Sequence, residues 1–201
     1  MKDILKCNMI HSFPREYHDL YYGAENGYTF REWNNEVLRV ARNLFRDDMD
    51  AQNKFKGDML EVFAEIFFAL YHADPEFGLQ HDYEPVDISD DFGVDSRATN
   101  VAGHKSVVQI KYRSNPDEVI SYADIARTYT SALCQFHIED VFKHDRTVFL
   151  FTNAGGVTGA FTTVMQRKTV ILTRGFIASK VDNNDSFWKE AYQLIFRTLD
   201  V

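Results

Sequence analysis

FGVDSR at residues 92–97 and VVQIKY at residues 107–112 are the two stretches that decide the fold of this chain. The second stretch is rich in β-branched apolar residues, which is typical of a strand buried in a sheet. The residues between the two stretches, NVAGHK at 100–105, predict a turn. We therefore expect a β-hairpin whose strands span residues 92–99 and 106–113.

This hairpin is expected to bring three polar side chains together. Asp95 lies on its first strand, and Gln109 and Lys111 lie on the second. Because alternate residues of a strand face the same side of a sheet, Gln109 and Lys111 share one face. Upstream, GDMLE at residues 57–61 begins a predicted helix and supplies a second carboxylate, Glu61. A glutamate, an aspartate and a Gln-x-Lys pair in this order are the parts of a magnesium-dependent phosphodiesterase.

The chemistry of phosphodiester hydrolysis explains why these residue types matter. The reaction requires neutralised phosphate charge and a nucleophilic water, and a divalent cation supplies both. Mg²⁺ takes oxygen ligands and keeps several waters, and we expect Mn²⁺ to substitute for it. Asp95 is the expected central ligand, Glu61 would complete the site, and the backbone carbonyl of Ile110 would add a neutral oxygen. Glu65 competes with Glu61 for its role. Lys111 would orient the attacking water and hold the scissile phosphate.

Structural interpretations of the same residues remain open. Lys111 would protect a strand edge against aggregation. Gln109 would be a hydrogen-bonded amide of the core, Asp95 would pair with Arg97, and Glu61 would be a solvated helix residue. The sequence does not decide between these roles and the catalytic ones.

Charge is distributed unevenly along the chain. The net charge of -8 argues mildly against a nucleic-acid ligand, but residues 74–95 alone hold eight acidic and no basic side chains. Residues 96–116 and 146–181 carry basic and no acidic side chains. This arrangement suits a site that binds a cation and receives a phosphate chain, although chance segregation on solvated loops gives the same pattern. The candidate phosphate contacts are Arg97, Lys105 and Arg113.

The remaining signals predict an α/β fold in which helices flank a central mixed sheet. Residues 1–28 show no clear periodicity, and we expect them to be irregular. Residues 1–56 would form a partly helical N-terminal extension, and residues 57–201 would form the core. The predicted elements are a helix capped at Thr29–Glu32, a helix from Gly57 after a polar break at 46–56, the hairpin, a long helix from Ser121 to Val141, buried strands at 147–152 and 169–173, and a helix capped by Ser186.

Three segments together resemble a known family of enzymes. Glu61, Gly93-Val94-Asp95 and Gln109-Ile110-Lys111 resemble the metal-binding core of the PD-(D/E)xK nuclease superfamily. The Gln-x-Lys form and the Gly-x-x-x-Glu helix start are similar to its Mrr-like restriction endonuclease branch. The resemblance covers about residues 57–195. It implies a restriction-endonuclease-like α/β core, Mg²⁺-dependent hydrolysis of DNA, frequent homodimerisation, and a catalytic set of Glu61, Asp95, Gln109 and Lys111.

Two positions depart from the family pattern. Gln109 stands where Glu or Asp is usual, which removes one negative charge from the metal site. Val94 stands where a proline usually precedes the first aspartate. We expect a DNA endonuclease; the alternatives are a Holliday-junction or branched-DNA resolvase and a catalytically weakened nucleic-acid-binding module. Gln109 and the negative net charge favour the last of these.

Cysteine usage and hydropathy indicate the compartment. Cys7 and Cys134 show neither metal-ligand spacing nor a disulfide framework, which fits a reducing environment. The sequence shows no leader pattern and no apolar stretch long enough to span a bilayer. We expect a soluble cytoplasmic protein that binds DNA and has no membrane partner.

Overall fold

The computed structural model describes residues 4–24, 26–72, 74, 81–86, 94–99, 103–136, 148–159 and 163–200. Contacts group the chain into two compact units, one of Met1–Leu70 with Gly175–Val201 and one of Tyr71–Arg174. The predicted boundary between residues 56 and 57 falls inside a continuous helix.

The chain is an α/β protein. A short 3₁₀ helix, Asn8–Ser12, precedes the elements numbered below. The helices are α1 (Pro14–Tyr21), α2 (Phe30–Phe45), α3 (Met49–Leu70), α4 (Tyr122–Phe136), α5 (Thr163–Lys168), α6 (Arg174–Val181) and α7 (Asp185–Leu199). The strands are β1 (His81–Pro85), β2 (Ser96–Thr99), β3 (Lys105–Lys111), β4 (Val119–Ile120), β5 (Val148–Thr152), β6 (Gly156–Val157) and β7 (Thr169–Leu172).

Capping side chains set the starts of two helices in the first unit. The capping box before α2 is confirmed, since the Glu32 amide donates to Thr29 Oγ1 at 3.2 Å and the Thr29 amide donates to Glu32 Oε2 at 2.9 Å. The predicted cap of the last helix was wrong. Asn184, and not Ser186, accepts from the Phe187 amide at 3.1 Å, so α7 begins two residues earlier.

Two predictions for the N-terminal part were also wrong. Residues 1–28 contain the 3₁₀ helix and α1, and the helix expected from Gly57 begins at Met49. Asp48 caps it by accepting from the Ala51 amide at 2.9 Å. The segment 46–56, which the sequence presents as a polar break, buries the polar side chains of Gln52 and Lys56 together with Phe55. Its composition therefore hides the inward face of the helix.

Large aromatic side chains form the core of the first unit. Phe63 of α3 lies at its centre, with its ring centroid 4.6 Å from that of Trp33 on α2 and 6.0 Å from that of Trp188 on α7. All three side chains are fully buried. The unit is therefore held by helices from both ends of the chain around one aromatic cluster.

A buried carboxyl group fixes the segment that precedes the first helices. Glu65 of α3 is fully buried and accepts hydrogen bonds from the backbone amides of Lys6 at 2.7 Å and Cys7 at 2.9 Å. These bonds satisfy two backbone donors that would otherwise be unpaired near the core. Glu65 thus has a structural role in the first unit.

The second unit contains a five-stranded mixed sheet in the order β1-β2-β3-β5-β7. The strand pairs β1–β2 and β2–β3 are antiparallel, and the pairs β3–β5 and β5–β7 are parallel. The predicted pairing of the two hairpin strands is confirmed in β2 and β3, with Ser96 opposite Val108, but β2 begins at Ser96 and not at residue 92. Residues 92–93 of the predicted strand and 100–102 of the predicted turn lie outside the described part. The two predicted buried strands are confirmed as β5 and β7, although Thr147 lies outside the described residues.

Helix α4 packs on one face of this sheet. Ala132 joins Val107 of β3 and Val148 of β5 in one apolar cluster, and Ile125 joins Leu150 in a second. Its predicted start is confirmed, because Ser121 Oγ accepts from the Asp124 amide at 3.2 Å. Its predicted end falls in residues 137–147, outside the described part.

A second, two-stranded sheet pairs β4 with β6. Among the described residues, no helix has the length and hydropathy needed to cross a lipid bilayer.

We predict that Glu65→Ala destabilises the first unit. The substitution leaves the amides of Lys6 and Cys7 without their acceptor, and each buried unsatisfied N–H costs about 1–3 kcal/mol. Chemical denaturation should show a lower free energy of unfolding. Asn53→Ala, an exposed position on the same helix, is the matched control and should change it by less than about 0.5 kcal/mol. Equal stability of the two variants would contradict the role given to Glu65.

Candidate functional site

The backbone of Asp95 is held between two strands. Its amide donates to the carbonyl of Val108 at 3.1 Å, and its carbonyl accepts from the amide of Val86 at 2.9 Å. Asp95 immediately precedes β2, and the register of Ser96 with Val108 places it opposite Gln109. The sheet therefore fixes where this carboxylate lies.

The carboxylate of Asp95 contacts the second strand at two points. Its Oδ2 accepts from the side-chain amide of Gln109 and from the backbone amide of Ile110. Gln109 is almost fully buried, and its Nε2 also lies 3.5 Å from the carbonyl oxygen of Ile110. The structure thus brings together Asp95, Gln109 and Ile110, three of the residues that the sequence proposed. Gln109 Nε2 therefore contacts both a carboxylate oxygen, from Asp95, and a backbone carbonyl oxygen, from Ile110.

The side chain of Gln109 is held on its other side by α4. Thr128 Oγ1 lies 3.2 Å from Gln109 Oε1, and it lies 3.0 Å from the carbonyl oxygen of Asp124 one turn earlier in the helix. Thr128 is itself only 2% exposed. Gln109 is therefore both a hydrogen-bonded core amide, as one interpretation held, and a direct neighbour of Asp95.

Lys111 is the last residue of β3 and is half-buried. It lies two residues after Gln109, and Gln109 and Val107 both contact α4 residues, so Lys111 belongs to the same face of the strand. Its carbonyl accepts from Thr152 Oγ1 of β5 at 2.5 Å. Lys111 is not an exposed edge lysine, because β3 lies between β2 and β5.

Asp124 adds a second carboxylate near this end of β3. It forms a 2.8 Å ion pair with Arg113 and accepts from Ser121 Oγ at 2.7 Å. Burial acts to raise the pKa of Asp124, but the hydrogen bonds from Ser121 and the charges of Arg113 and Lys111 outweigh it and leave the pKa below its usual value. The group therefore stays ionised at neutral pH beside both cations.

The side chain of Asn153 explains why β3 ends at Lys111 and not at residue 113, where the sequence predicted its end. Its Oδ1 accepts from the Arg113 amide at 2.7 Å, and its Nδ2 donates to the Arg113 carbonyl at 2.8 Å. This side chain satisfies the backbone at Arg113 in place of a neighbouring strand, so β3 ends at Lys111 and not at residue 113. It also fixes the position of Arg113 beside Asp124.

The other predicted residues are Glu61, Arg97 and Lys105. Glu61 is half-buried on α3 in the first unit, where its charge helps to raise the pKa of the buried Cys7 thiol to about 12, after desolvation as the main cause. Its assignment to the metal stays a prediction. Arg97 points outward from the hairpin and pairs with Glu84 at 3.3 Å, and Lys105 is exposed at the start of β3.

Sequence reasoning missed Asp124, Thr128 and Asn153 as members of this site. Asp124 was identified only as part of a helix cap. The available signal was spacing, since Asp124 and Thr128 are four residues apart and share the helix face that also buries Ala132. A threonine on an otherwise apolar helix face needs a partner inside the fold.

The arrangement offers a hard cation a limited set of oxygens. Among the described residues, no group of three or more His, Cys, Asp or Glu side chains is placed to hold a metal ion. Mg²⁺ needs fewer protein ligands, because it retains waters and accepts carboxylate and carbonyl oxygens. Asp95 Oδ2 and the Ile110 carbonyl fit that donor set, and Gln109 would supply a third oxygen if its amide were reversed.

No protein-family model, curated protein or solved structure matches this chain. The resemblance to the PD-(D/E)xK nucleases consequently rests on the motif residues alone.

We predict that Asp124 gives the fold an acid-dependent contribution to stability. Its pKa in the folded protein lies below its ordinary value of 3.8, so the contribution is complete above about pH 5 and is lost as pH falls through the lowered pKa. Asp124→Asn should reduce the free energy of unfolding at pH 7 by about 1 kcal/mol, with the difference from wild type vanishing at low pH.

Urea denaturation between about pH 2.5 and pH 7 measures this difference. Asp117→Asn is the matched control, because Asp117 forms a 3.1 Å pair with Arg174 but its side chain is 82% exposed. Its effect should be small at every pH. If the loss of unfolding free energy caused by Asp124→Asn did not depend on pH, the ionised pair of Asp124 with Arg113 would not be its cause.

Proposed function

We propose that this protein is a Mg²⁺-dependent nuclease that hydrolyses phosphodiester bonds in DNA, with Asp95, Gln109 and Lys111 at its centre. The observation that carries the proposal is the contact between the Asp95 carboxylate and the side chain of Gln109, with Lys111 on the same strand face. The family resemblance supplies the class of reaction. Mn²⁺ is expected to replace Mg²⁺.

Each residue has a role that follows from its position. Asp95 is the carboxylate ligand, held rigidly because its backbone bonds to two strands. Ile110 offers its carbonyl oxygen from the same point of the sheet. A bound divalent cation would neutralise phosphate charge and lower the pKa of a water molecule. Lys111 holds the scissile phosphate and orients the attacking water, and the resemblance assigns a further carboxylate, Glu61, to the reaction.

Basic side chains near this end of the sheet support a phosphate substrate. Lys111 and Arg113 are both half-buried, and Asp124 holds the Arg113 guanidinium in place. Because Asp124 already neutralises part of this charge, we expect Lys111 to contribute more to phosphate binding than Arg113. Arg97 and Lys105 remain candidates for contacts farther along a nucleic-acid chain.

A second candidate function is a nucleic-acid-binding module with little catalytic power. The supporting observation is that an amide, and not a carboxylate, faces Asp95 and donates a hydrogen bond to it. A donor at this position competes with a cation for the same oxygen. A branched-DNA resolvase would use the same chemistry and differ only in substrate.

We predict that the protein cleaves supercoiled plasmid DNA with Mg²⁺ and that a chelator abolishes the cleavage. Asp95→Ala and Lys111→Ala should each lower the rate by about 10²-fold or more. Asp95→Asn, which keeps an oxygen acceptor for the Ile110 amide, separates loss of activity from loss of folding. Lys189→Ala, an exposed lysine on α7, is the matched control and should leave the rate unchanged.

The outcomes separate the candidate functions. Cleavage that survives both alanine substitutions removes this site from the mechanism. Tight DNA binding with neither metal uptake nor turnover favours the binding module. Preference for a four-way junction over linear duplex favours the resolvase, and equal cleavage of an RNA substrate would show that the site does not select DNA.

A further inference from the structure

The hydroxyl group of Thr128 faces two acceptors. It lies 3.0 Å from the carbonyl oxygen of Asp124 and 3.2 Å from Gln109 Oε1. A hydroxyl group carries one proton and therefore donates to only one of them. The Asp124 carbonyl also accepts from the backbone N–H of Thr128 within α4, so the hydroxyl proton can go to either acceptor, and Thr128 and Gln109 are each 2% exposed and shielded from bulk water.

Thr128 can therefore hold the Gln109 amide in either of two orientations. The oxygen and nitrogen of a glutamine amide exchange places when the group turns by 180°, with little change in shape. In the reversed orientation Nε2 donates to Thr128 Oγ1 while Thr128 donates to the Asp124 carbonyl. Every polar atom on the α4 side of Gln109 then has a partner of the correct kind.

The same reversal is unfavourable on the other side of Gln109, where the amide contacts Asp95 and Ile110. Gln109 Nε2 now donates to Asp95 Oδ2 and lies near the Ile110 carbonyl. After reversal Oε1 would take its place, and three oxygens would face one another with only the Ile110 amide proton directed at one of them, Asp95 Oδ2. Only a cation at that point makes the reversed orientation favourable.

We propose that the Gln109 amide reverses when a divalent cation binds, and that Thr128 is the positioning residue that holds it reversed. This inference rests on the metal site of the proposed function and adds to it a residue and a conformational step. Without a cation, Gln109 donates to Asp95 and occupies the site. With a cation, it becomes a neutral oxygen ligand anchored by Thr128.

The proposal gives a physical reason for an amide at this position. A second carboxylate here would face Asp95 in a nearly buried site and repel it whenever the cation is absent. An amide satisfies Asp95 in that state by donating to it. The cost is that the cation must displace a hydrogen bond, so its affinity depends on how well the reversed amide is held.

Titration of the full-length protein with Mg²⁺ and Mn²⁺ by calorimetry tests this dependence. Thr128→Val keeps the shape of the side chain but cannot accept from Nε2, and it should weaken cation affinity about tenfold or more. Thr128→Ser retains the hydroxyl group and should stay close to wild type. Thr130→Val is the matched control, because Thr130 makes the same 3.0 Å bond to the carbonyl one turn earlier but is exposed.

Side-chain amide resonances of ¹⁵N-labelled protein give a readout independent of activity. On saturation with Mg²⁺, the Gln109 amide protons should gain a nuclear Overhauser contact with the Thr128 side chain. Equal cation affinity of wild type and Thr128→Val, with cleavage still dependent on Asp95, overturns this inference and leaves the nuclease intact. Absence of cation uptake by the wild-type protein overturns both.

Discussion

The antiparallel pairing of β2 with β3 fixes the positions of the candidate site residues in the second unit. Side chains alternate along a strand, so a slip of one residue would turn Gln109 and Lys111 to the opposite face. In the observed register, Ser96 opposes Val108, and the Asp95 carboxylate reaches the Gln109 side chain and the Ile110 amide. The contacts of Val107 with Ala132 and of Gln109 with Thr128 stabilise that register, because the slipped pairing would lose both.

Hydrogen bonding separates the fixed polar groups at this end of the sheet from the one that has alternative partners. Asp124 holds Arg113, and Asn153 satisfies the backbone at the same residue, so these side chains form a fixed support. Gln109 is nearly buried but is bordered by groups with more than one way to pair. The proposed response to a cation depends on this buried amide, because it has two workable orientations.

The sequence predicted the hairpin, the parallel strands β5 and β7 and the start of α4, because each carries a local signal: apolar runs, a turn and a capping box. The contact between Asp95 and Gln109 followed from the hairpin. The roles of Thr128 and Asn153 could not be predicted in this way. They depend on which face of α4 and which loop pack against β3. The early start of α3 was concealed because its buried positions include polar residues.

The first unit consists of Met1–Leu70 and Gly175–Val201, whereas the second is continuous from Tyr71 to Arg174. During synthesis, every strand of the mixed sheet is made before α7, which carries Phe187 and Trp188 to the aromatic cluster around Phe63. Domains fold as units while the chain emerges. The sheet can therefore assemble on the ribosome at a time when α2 and α3 still lack α7, and Phe63 gains its contacts with Phe187 and Trp188 only once α7 has been translated.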